Sequence, residues 1–419
     1  MNLTIQQFLN FMVEQKGSDL HLSADAVPRI RVHGDLRPLS MDPINQQDAT
    51  ALIYSILSEE QRKRLEKDRD LDASYELPGV SRFRLNVCYQ RGRIRINARV
   101  IPAEIKSFDD LGMTAPIFEK ICGIPKGLIL VTGATGSGKS TTLAAMINYV
   151  NNNREAHIVT IEDPVEFVHR DKKCMVTQRE IGADTPTFAS ALKHVLRQDP
   201  DIVLIGEMRD QETVQTGLEL SETGHLTFAT LHTADAVQTI NRIIDIFPSD
   251  QQPQIRTQLG FVLEAVFCQQ LLKTKDGKGR CVAQEILIAT QSIRANIRSE
   301  KIHQVYSALQ TGVQLGMQTM NQALLKLVEK GIIDHATALQ NSSRADELEK
   351  LMRDVLPEAD EPKNNQVDEE PWGMEEKTKS QDRAAPSPPE RTANTIRRQG
   401  NNETKTASAP HEPGQSPKW

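Results

Sequence analysis

The sequence predicts an α/β protein. It comprises a small α+β domain, a larger domain of alternating strands and helices with a helical C-terminal part, and a disordered tail. Three observations support this class. Apolar and polar residues alternate along residues 81–100, as in a half-buried strand. From about 117 to 290, continuous apolar runs alternate with helical patterns, as in a parallel sheet covered on both faces. Beyond residue 357, large apolar residues become sparse.

Residues 1–100 predict the small N-terminal domain. Thr4 and Gln7 form a capping-box pattern, and apolar residues at helical spacing follow until Gly17 ends the helix. The pattern then predicts strands at 19–22 and 29–32, a turn at 33–35, a helix over about 45–66, a strand region over 81–100 and a linker over 101–116. A mixture of this kind is typical of an α+β domain.

Residues 117–356 predict the larger domain. Its candidate strands are short runs of β-branched and apolar residues, at 128–132, 158–161, 202–205 and 226–231. After about residue 290 the chain becomes mainly helical, with helices predicted at 320–328, before Gly331, and at 345–356. A strand, a glycine-rich loop, a helix and a second strand in succession make a βαβ unit.

The tail, residues 357–419, is predicted to be disordered. It holds nine of the 21 prolines, and its large apolar residues cannot bury enough surface to offset the entropy of ordering. Two interpretations of this tail remain open: a dispensable extension, or a regulatory or docking segment.

Bulk properties argue against several classes of protein. The 419 residues carry a net charge of −6, which argues against a nucleic-acid-binding domain, since such domains are usually basic. The five cysteines form no CxxC pair, so neither a disulfide framework nor a zinc site is expected. No apolar run approaches 18 residues, and the N-terminus lacks the pattern of a secretory signal, so no membrane span or leader is expected.

The most specific motif is GLILVTGATGSGKST at residues 127–141, which contains G-x-x-x-x-G-K-[ST]. Its glycines allow backbone N–H groups to point at phosphate oxygens, Lys139 can reach the β- and γ-phosphates, and Ser140 can ligate Mg²⁺. The predicted nucleotide-binding residues are Gly133, Ala134, Thr135, Gly136, Ser137, Gly138, Lys139, Ser140 and Thr141. A plain glycine-rich turn after a buried strand would not need Lys-Ser at this point.

Charged residues follow or flank the other predicted strands. TIEDPVEF (160–167) places three carboxylates at a strand end, and Glu207 follows the apolar run 202–205. His225 and His232 bracket the strand at 226–231. Singly, each carboxylate is explained as well by a solvated charge or a helix cap, and each histidine by a packed side chain. Their combination with the phosphate loop favours a nucleotide site.

Eight stretches together resemble the type II/IV secretion ATPase family, in its PilT/PilU branch. They occur in the family's order within residues 5–356 and read GSDLHLS (17–23), SRFRLN (81–86), GATGSGKSTTLAAM (133–146), TIEDPVEF (160–167), RQDPDIVLIGEMRD (197–210), ETGHLTFATLHT (222–233), DGKGR (276–280) and GMQTMNQAL (316–324). The resemblance implies a PAS-like N-terminal domain, a RecA-like P-loop ATPase domain and a homohexameric ring.

The same resemblance assigns roles to residues. It implies that Glu166 is the catalytic base that orients water, that Glu207 acts through Mg²⁺, and that His225 and His232 sense the γ-phosphate. It further implies that Arg82, Arg84 and Arg99 of the N-terminal domain approach the nucleotide as the ring closes. Without the resemblance, these arginines would be explained as a solvated strand face.

For function, the resemblance implies an ATP- and Mg²⁺-dependent motor that retracts type IV pili and drives twitching motility. Its implied partners are further copies of itself, a PilC-like platform protein of the inner membrane and a paralogous PilU-like motor. It implies a cytoplasmic location at the inner membrane, with peripheral association only and no nucleic acid.

One departure from the family pattern bears on retraction. Retraction ATPases carry Ala-Ile-Arg-Asn-Leu-Ile, and residues 292–297 here read Ser-Ile-Arg-Ala-Asn-Ile. Three alternatives remain beside the retraction motor. The first is an accessory PilU-like motor. The second is a nucleic-acid-dependent motor on the same core, which the acidic charge balance opposes, and the third is a nucleotide-gated binding module with negligible turnover, which Glu166 and Glu207 argue against. An assembly-type ATPase is disfavoured because the chain lacks a tetracysteine zinc motif.

Overall fold

The computed structural model describes residues 3–32, 34–101 and 104–355. The predicted α/β class is confirmed in this part of the chain, which holds a six-stranded and a seven-stranded sheet with helices. The tail at 357–419, predicted to be disordered, lies outside the described residues.

The N-terminal region is built around an antiparallel sheet of order β3-β2-β1-β6-β5-β4. Its elements are α1 (Ile5–Glu14), β1 (Gly17–Ser23), β2 (Arg29–Val32), β3 (Asp35–Pro38), α2 (Gln46–Tyr54), α3 (Glu59–Asp68), β4 (Asp70–Leu77), β5 (Ser81–Gln90) and β6 (Arg93–Ile101). In β5, Phe83, Leu85 and Val87 are fully buried, so the period-two alternation supplies one face of the core.

Three sequence expectations for this region need correction. Gly17 opens β1 instead of ending α1, which stops at Glu14. The helix predicted over 45–66 is two helices, because Ser58 forms a capping box with Gln61 and starts a new one. The alternating stretch 81–100 is a hairpin, since Arg91 and Gly92 both adopt positive φ and reverse the chain.

The second sheet has the order β13-β12-β7-β11-β10-β8-β9, and only its edge pair β12–β13 is antiparallel. Its strands are β7 (Gly127–Thr132), β8 (His157–Glu162), β9 (Met175–Glu180), β10 (Ile202–Ile205), β11 (Leu226–Leu231), β12 (Leu263–Lys273) and β13 (Arg280–Ile288). The four strands predicted from apolar runs are confirmed as β7, β8, β10 and β11.

Helices cover both faces of this sheet. Leu128 and Leu130 of β7 belong to one hydrophobic core, and Ile129 and Val131 belong to another. The helices that accompany the sheet are α4 (Ala115–Cys122), α5 (Lys139–Asn153), α6 (Phe188–Val195), α7 (Gln211–Glu222), α8 (Ala236–Asp245) and α9 (Gln252–Val262). Burial on both faces explains why these strands are continuously apolar.

The remainder of the described chain is mainly helical, as predicted. It contains α10 (Gln291–Arg298), α11 (Val305–Thr311), α12 (Met320–Glu329), α13 (His335–Gln340) and α14 (Ala345–Val355). Leu324, Leu348 and Met352 pack in a separate small core beside the end of β12, which fixes the C-terminal helices to the sheet.

Candidate functional site

The candidate site lies at the carboxyl edge of the parallel strands. β7, β8, β10 and β11 run parallel, so the segments that follow them meet at one edge. These segments are the phosphate loop after β7, residues 163–167 after β8, Glu207 after β10 and His232 after β11. Four parts of the chain far apart in sequence therefore converge.

Glycines give the phosphate loop its shape. Gly133, Gly136 and Gly138 all have φ in the left-handed region, where a side chain would be strained. At Gly133 an added Cβ would also collide with the backbone carbonyl of Gln269. Gly138 caps α5, which begins at Lys139, so the helix N-terminus faces the loop. This is the conformation that an anionic phosphate needs.

Lys139 lies inside the loop, where its Nζ donates to the carbonyls of Gly133 at 2.8 Å and Ala134 at 3.1 Å. Burial lowers the pKa of Lys139, and the charges of Glu207 and Glu166 oppose that change. The ammonium is thus held among groups of opposite charge at the point where the motif predicts phosphate.

A buried glutamine holds the phosphate loop through side-chain hydrogen bonds. Gln269 of β12 donates from Nε2 to the Ser137 carbonyl at 2.8 Å, and its Oε1 accepts from Thr142 at 2.9 Å. Gln269 is 1% exposed, so both bonds are shielded from water. No local pattern in the sequence identifies this residue, because nothing local links β12 to a loop more than 130 positions earlier.

Glu207, Arg209 and His232 form a charged group beside the loop. Glu207 Oε1 lies 2.7 Å from Arg209 Nε and 3.1 Å from His232 Nε2. Burial opposes ionisation of Glu207, but the hydrogen bond and charge of Arg209, and then His232, outweigh it and hold the pKa of this carboxyl below its usual range. Glu207 is therefore a carboxylate at neutral pH. Arg209 lies within the stretch RQDPDIVLIGEMRD (197–210), but no role was predicted for it from the sequence.

The segment after β8 brings two glutamates to the same cavity. Glu166 lines the cavity wall, as does Glu162. Burial raises the pKa of Glu162, against the hydrogen bonds from Thr160 Oγ1 and Gln178 Nε2. The two carboxyl groups therefore differ in environment, and Glu162 is the one fixed by side-chain donors.

Two arginines of the N-terminal region reach this cavity in the same chain. Arg84 of β5 and Arg99 of β6 line it and are partners in the β5–β6 register. Arg99 Nε is paired with Asp19 Oδ1 at 2.7 Å. Asp19 is 6% exposed, and Ser18 also donates to it at 2.8 Å. Arg99 is therefore held at the cavity rim by its own domain.

Two residues predicted for the site lie elsewhere. Arg82 is absent from the cavity wall, and its Nη2 pairs with Glu180 Oε2 at 2.7 Å. His225 precedes β11, so the whole six-residue strand, roughly 20 Å at 3.3 Å per residue, separates it from His232. Its Nδ1 contacts the Leu220 carbonyl and Thr223 Oγ1. In this conformation these two side chains do not line the cavity with the others, and their predicted roles stay predictions.

The cavity enclosed by these groups measures about 550 Å³. Its cationic lining is Lys139, Arg84, Arg99, Arg209 and Arg280, and its anionic lining is Glu162, Asp163, Glu166 and Glu207. Arg280, from the DGKGR stretch, is a further residue to which the sequence analysis assigned no role. A polyphosphate fits a cavity that offers several cations, a glycine-rich loop and carboxylates for a hydrated cation.

The donor set suits a hard divalent cation that is bound together with phosphate. Ser140 and Glu207 offer a hydroxyl and an ionised carboxylate, which are oxygen ligands of the kind Mg²⁺ prefers. Among the residues that the structure describes, no group of three or more His, Cys, Asp or Glu side chains could hold a metal by itself. Phosphate oxygens would have to complete the coordination.

Across residues 3–32, 34–101 and 104–355, none of the helices has both the length and the apolar character needed to cross a bilayer. Residues 1–353 match the family described as type II/IV secretion system protein.

Characterised relatives match over most of their own length. The type IV pilus retractation ATPase PilT of Pseudomonas aeruginosa is 48% identical over 340 residues, which cover 81% of this chain and 98% of the relative. The type IV pilus ATPase PilU of the same organism is 37% identical over 351 residues, which cover 84% and 92%. A crystal structure of the pilus retraction motor PilT with bound ADP superposes with a TM-score of 0.78 at 46% identity, covering 83% of this chain and 100% of that one.

Proposed function

The chain belongs to the type II/IV secretion system protein family, and on that premise we propose that it is an ATP-hydrolysing motor that retracts type IV pili. The relative at 48% identity is named for this activity, and the superposed crystal structure is of a retraction motor with ADP bound. Twitching motility would be the cellular result of such retraction.

The observation that carries the proposal is the joint lining of one cavity by the phosphate loop, Glu166, Glu207, His232 and Arg84. A simple nucleotide-binding module needs the loop and its lysine. Carboxylates and an arginine facing the same space are what phosphoryl transfer to water additionally requires.

Each group has a definite task in this proposal. The loop N–H groups and Lys139 bind the phosphates, and Lys139 leaves the carbonyls of Gly133 and Ala134 to do so. Glu166 orients and deprotonates the attacking water. Arg84 stabilises the negative charge that develops on the transferred phosphoryl group.

Mg²⁺ would be held by Ser140 and Glu207 together with phosphate oxygens, where it would neutralise charge on the phosphates. His232 and Arg209 both contact the Oε1 atom of Glu207. A movement of Glu207 in response to the γ-phosphate would therefore displace His232 at the end of β11. This contact supports a sensing role for His232.

We place the motor in a homohexameric ring at the cytoplasmic face of the inner membrane. There it would act on a PilC-like platform protein without a membrane span of its own. A PilU-like paralogue would be an additional partner. The basis for this assembly and location is family membership, together with 98% coverage of the PilT relative.

The altered motif at 292–297 bears on whether this motor is the one that retracts pili. Its retained residues are the packed ones: Ile293 and Ile297 are fully buried, and Arg294 pairs with Glu264 at 2.6 Å. The changed positions are Ser292, which is exposed, and Ala295 and Asn296, which are half-buried. The higher identity to PilT, 48% against 37% to PilU, favours the principal motor over the accessory one.

Two experiments test the proposal. Phosphate release by the purified full chain should require ATP and Mg²⁺ and should be abolished in Lys139→Ala, with Lys278→Ala, on the β12–β13 turn, as the control. Hydrolysis in Lys139→Ala within tenfold of wild type would contradict the assignment of the loop. In cells, deletion of the gene should abolish pilus retraction. Retraction that persists there, and fails only when a paralogue is also removed, would favour the accessory motor.

A further inference from the structure

A buried carboxylate connects the N-terminal domain to the segment that carries Glu166. Glu180 is the last residue of β9 and is 3% exposed. A charge at this depth is costly unless it is paired and hydrogen-bonded. The hydrogen-bond and ion-pair partners of Glu180 therefore indicate which parts of the chain it connects.

One partner belongs to the segment after β8. Glu180 Oε2 accepts from the backbone N–H of Val165 at 3.2 Å, and Val165 is itself 3% exposed. Val165 immediately precedes Glu166 in the chain. Since β8 and β9 pair in parallel with Glu162 opposite Glu180, this bond spans the segment just beyond the paired strand ends. Glu180 thus contacts the residue next to Glu166 through a buried hydrogen bond.

The other partner comes from the N-terminal domain. Arg82 Nη2 lies 2.7 Å from the same Glu180 Oε2, and it also donates to Ser74 Oγ at 2.8 Å. Arg82 is thereby fixed to its own domain through β4 and to the ATPase domain through Glu180. Loss of Arg82 would leave an unpaired buried carboxylate beside the Val165 bond.

We propose that Glu180 is a positioning residue for ATP hydrolysis, which holds the Glu166 segment in place and, through Arg82, makes that placement depend on the N-terminal domain. The inference rests on the proposed function, because it assumes that Glu166 orients the attacking water. It assigns Arg82 a role distinct from that of Arg84: Arg82 acts through Glu180, and Arg84 faces the nucleotide.

Amide hydrogen exchange tests the contact without any need for turnover. In the full chain, a peptide covering residues 163–168 should exchange about tenfold faster in Glu180→Ala and in Arg82→Ala, since both changes loosen the Val165 bond. The control is Glu300→Ala, which removes an ion pair of similar length, at 2.8 Å to Arg256; the Glu300 carboxylate is exposed and lies outside the cavity. Unchanged exchange in Glu180→Ala would overturn the proposal.

Kinetics test the consequence. Glu180→Ala and Arg82→Ala should each lower kcat about tenfold or more, while the Kd for ATP stays within twofold, because misplacing a reacting group by about 1 Å can cost 10²-fold. The double variant should be no slower than the worse single variant, since both residues act through one connection. Additive losses, or weaker ATP binding in Arg82→Ala, would instead place Arg82 on the nucleotide and overturn its link to Glu180.

Glu180→Gln covers the case in which the alanine variant does not fold. The amide oxygen still accepts from Val165, but the charge that holds Arg82 is gone. A several-fold loss of kcat supports the ion pair as the coupling element, and a kcat within twofold of wild type overturns it. If the wild-type chain itself hydrolyses no ATP, the proposed function fails, while the exchange experiment still decides whether Glu180 holds the segment.

Discussion

His232 Nε2 lies 3.1 Å from Glu207 Oε1, across the ends of two adjacent parallel strands. β10 and β11 are in register, with Ile205 opposite Ala229, so the residues that follow them come together. Arg209 Nε lies 2.7 Å from the same Oε1 atom. The strand ends are thus joined by a contact between an imidazole and a carboxylate next to the phosphate loop.

His232→Ala should affect motor output more than stability. The side chain is 42% exposed, so its contact with Glu207 contributes only about 0–1 kcal/mol to folding. Retraction speed should fall more than ATP hydrolysis per subunit, with a small change in Tm. His335→Ala, at an exposed position outside the cavity, is the control and should spare both rates. A large drop in Tm without a specific motor defect would make His232 a packing residue.

Glu166→Gln should slow hydrolysis by about 10²-fold or more and leave ATP affinity intact, because general-base contributions run roughly 10²–10⁴. Single-turnover phosphate release and equilibrium binding of labelled ATP measure the two quantities separately. The exposed Glu300→Gln serves as the control for the substitution itself. Lost binding with normal hydrolysis per bound ATP would show that Glu166 is structural.

Glu207→Gln should shift the Mg²⁺ titration. The pKa of Glu207 lies below its usual range because Arg209 and His232 outweigh burial, so the wild-type group is charged at neutral pH. Removing that charge should raise the Mg²⁺ concentration for half-maximal activity several-fold, since hard cations bind anionic oxygen most tightly. A titration curve identical to that of wild type would argue against contact with the metal.

Arg84 should act on nucleotide bound in its own subunit, because it lines the cavity of the same chain. In the proposed ring, mixing Arg84→Ala with Lys139→Ala subunits should restore no activity, since no subunit then has both an intact loop and an intact arginine. As the control, mixing wild-type with Lys139→Ala subunits shows whether rings that contain inactive subunits still hydrolyse ATP. Recovered activity in the first mixture would mean that the arginine serves a neighbour.

The buried His169 should make the protein sensitive to acid. Burial, and secondarily Lys172, lowers the pKa of His169 from 6.5 to about 4, so the folded state holds it neutral. Between these values the unfolded chain binds more protons. The contribution of neutral His169 to the free energy of unfolding is therefore fully present above about pH 6.5. About 3 kcal/mol of it is lost as the pH falls toward 4.

Thermal unfolding of wild type and His169→Gln between pH 4 and 7 measures this effect. Wild type should lose stability relative to the variant as the pH falls. Glu285, whose pKa burial raises to about 7, gives the opposite pH dependence, but it is present in both proteins and cancels in the difference. His335→Gln, at an exposed position, is the control. A stability difference that does not change with pH would contradict the assignment.

Local patterns predicted much of the fold and half of the site. The runs that became β7, β8, β10 and β11 were apolar throughout because both faces are buried, and such runs can be identified without knowing the neighbours. The strands β3, β4, β9, β12 and β13 were not predicted. In β9 the residues Val176 to Arg179 are only half-buried, so the strand lacks a strong apolar pattern.

What the sequence alone determined is the phosphate loop, since its glycines and Lys139 act within a few residues of one another, and the order of the segments that meet at the sheet edge. Tertiary structure decided which distant side chains join them. Arg82 and Arg84 lie two residues apart on β5 with the same local pattern, yet one pairs with Glu180 and the other faces the cavity. Gln269 supports the loop from β12, and His225 lies at the far end of β11. The physical reason is that these contacts depend on strand order and on how the two sheets pack, and no local period encodes either.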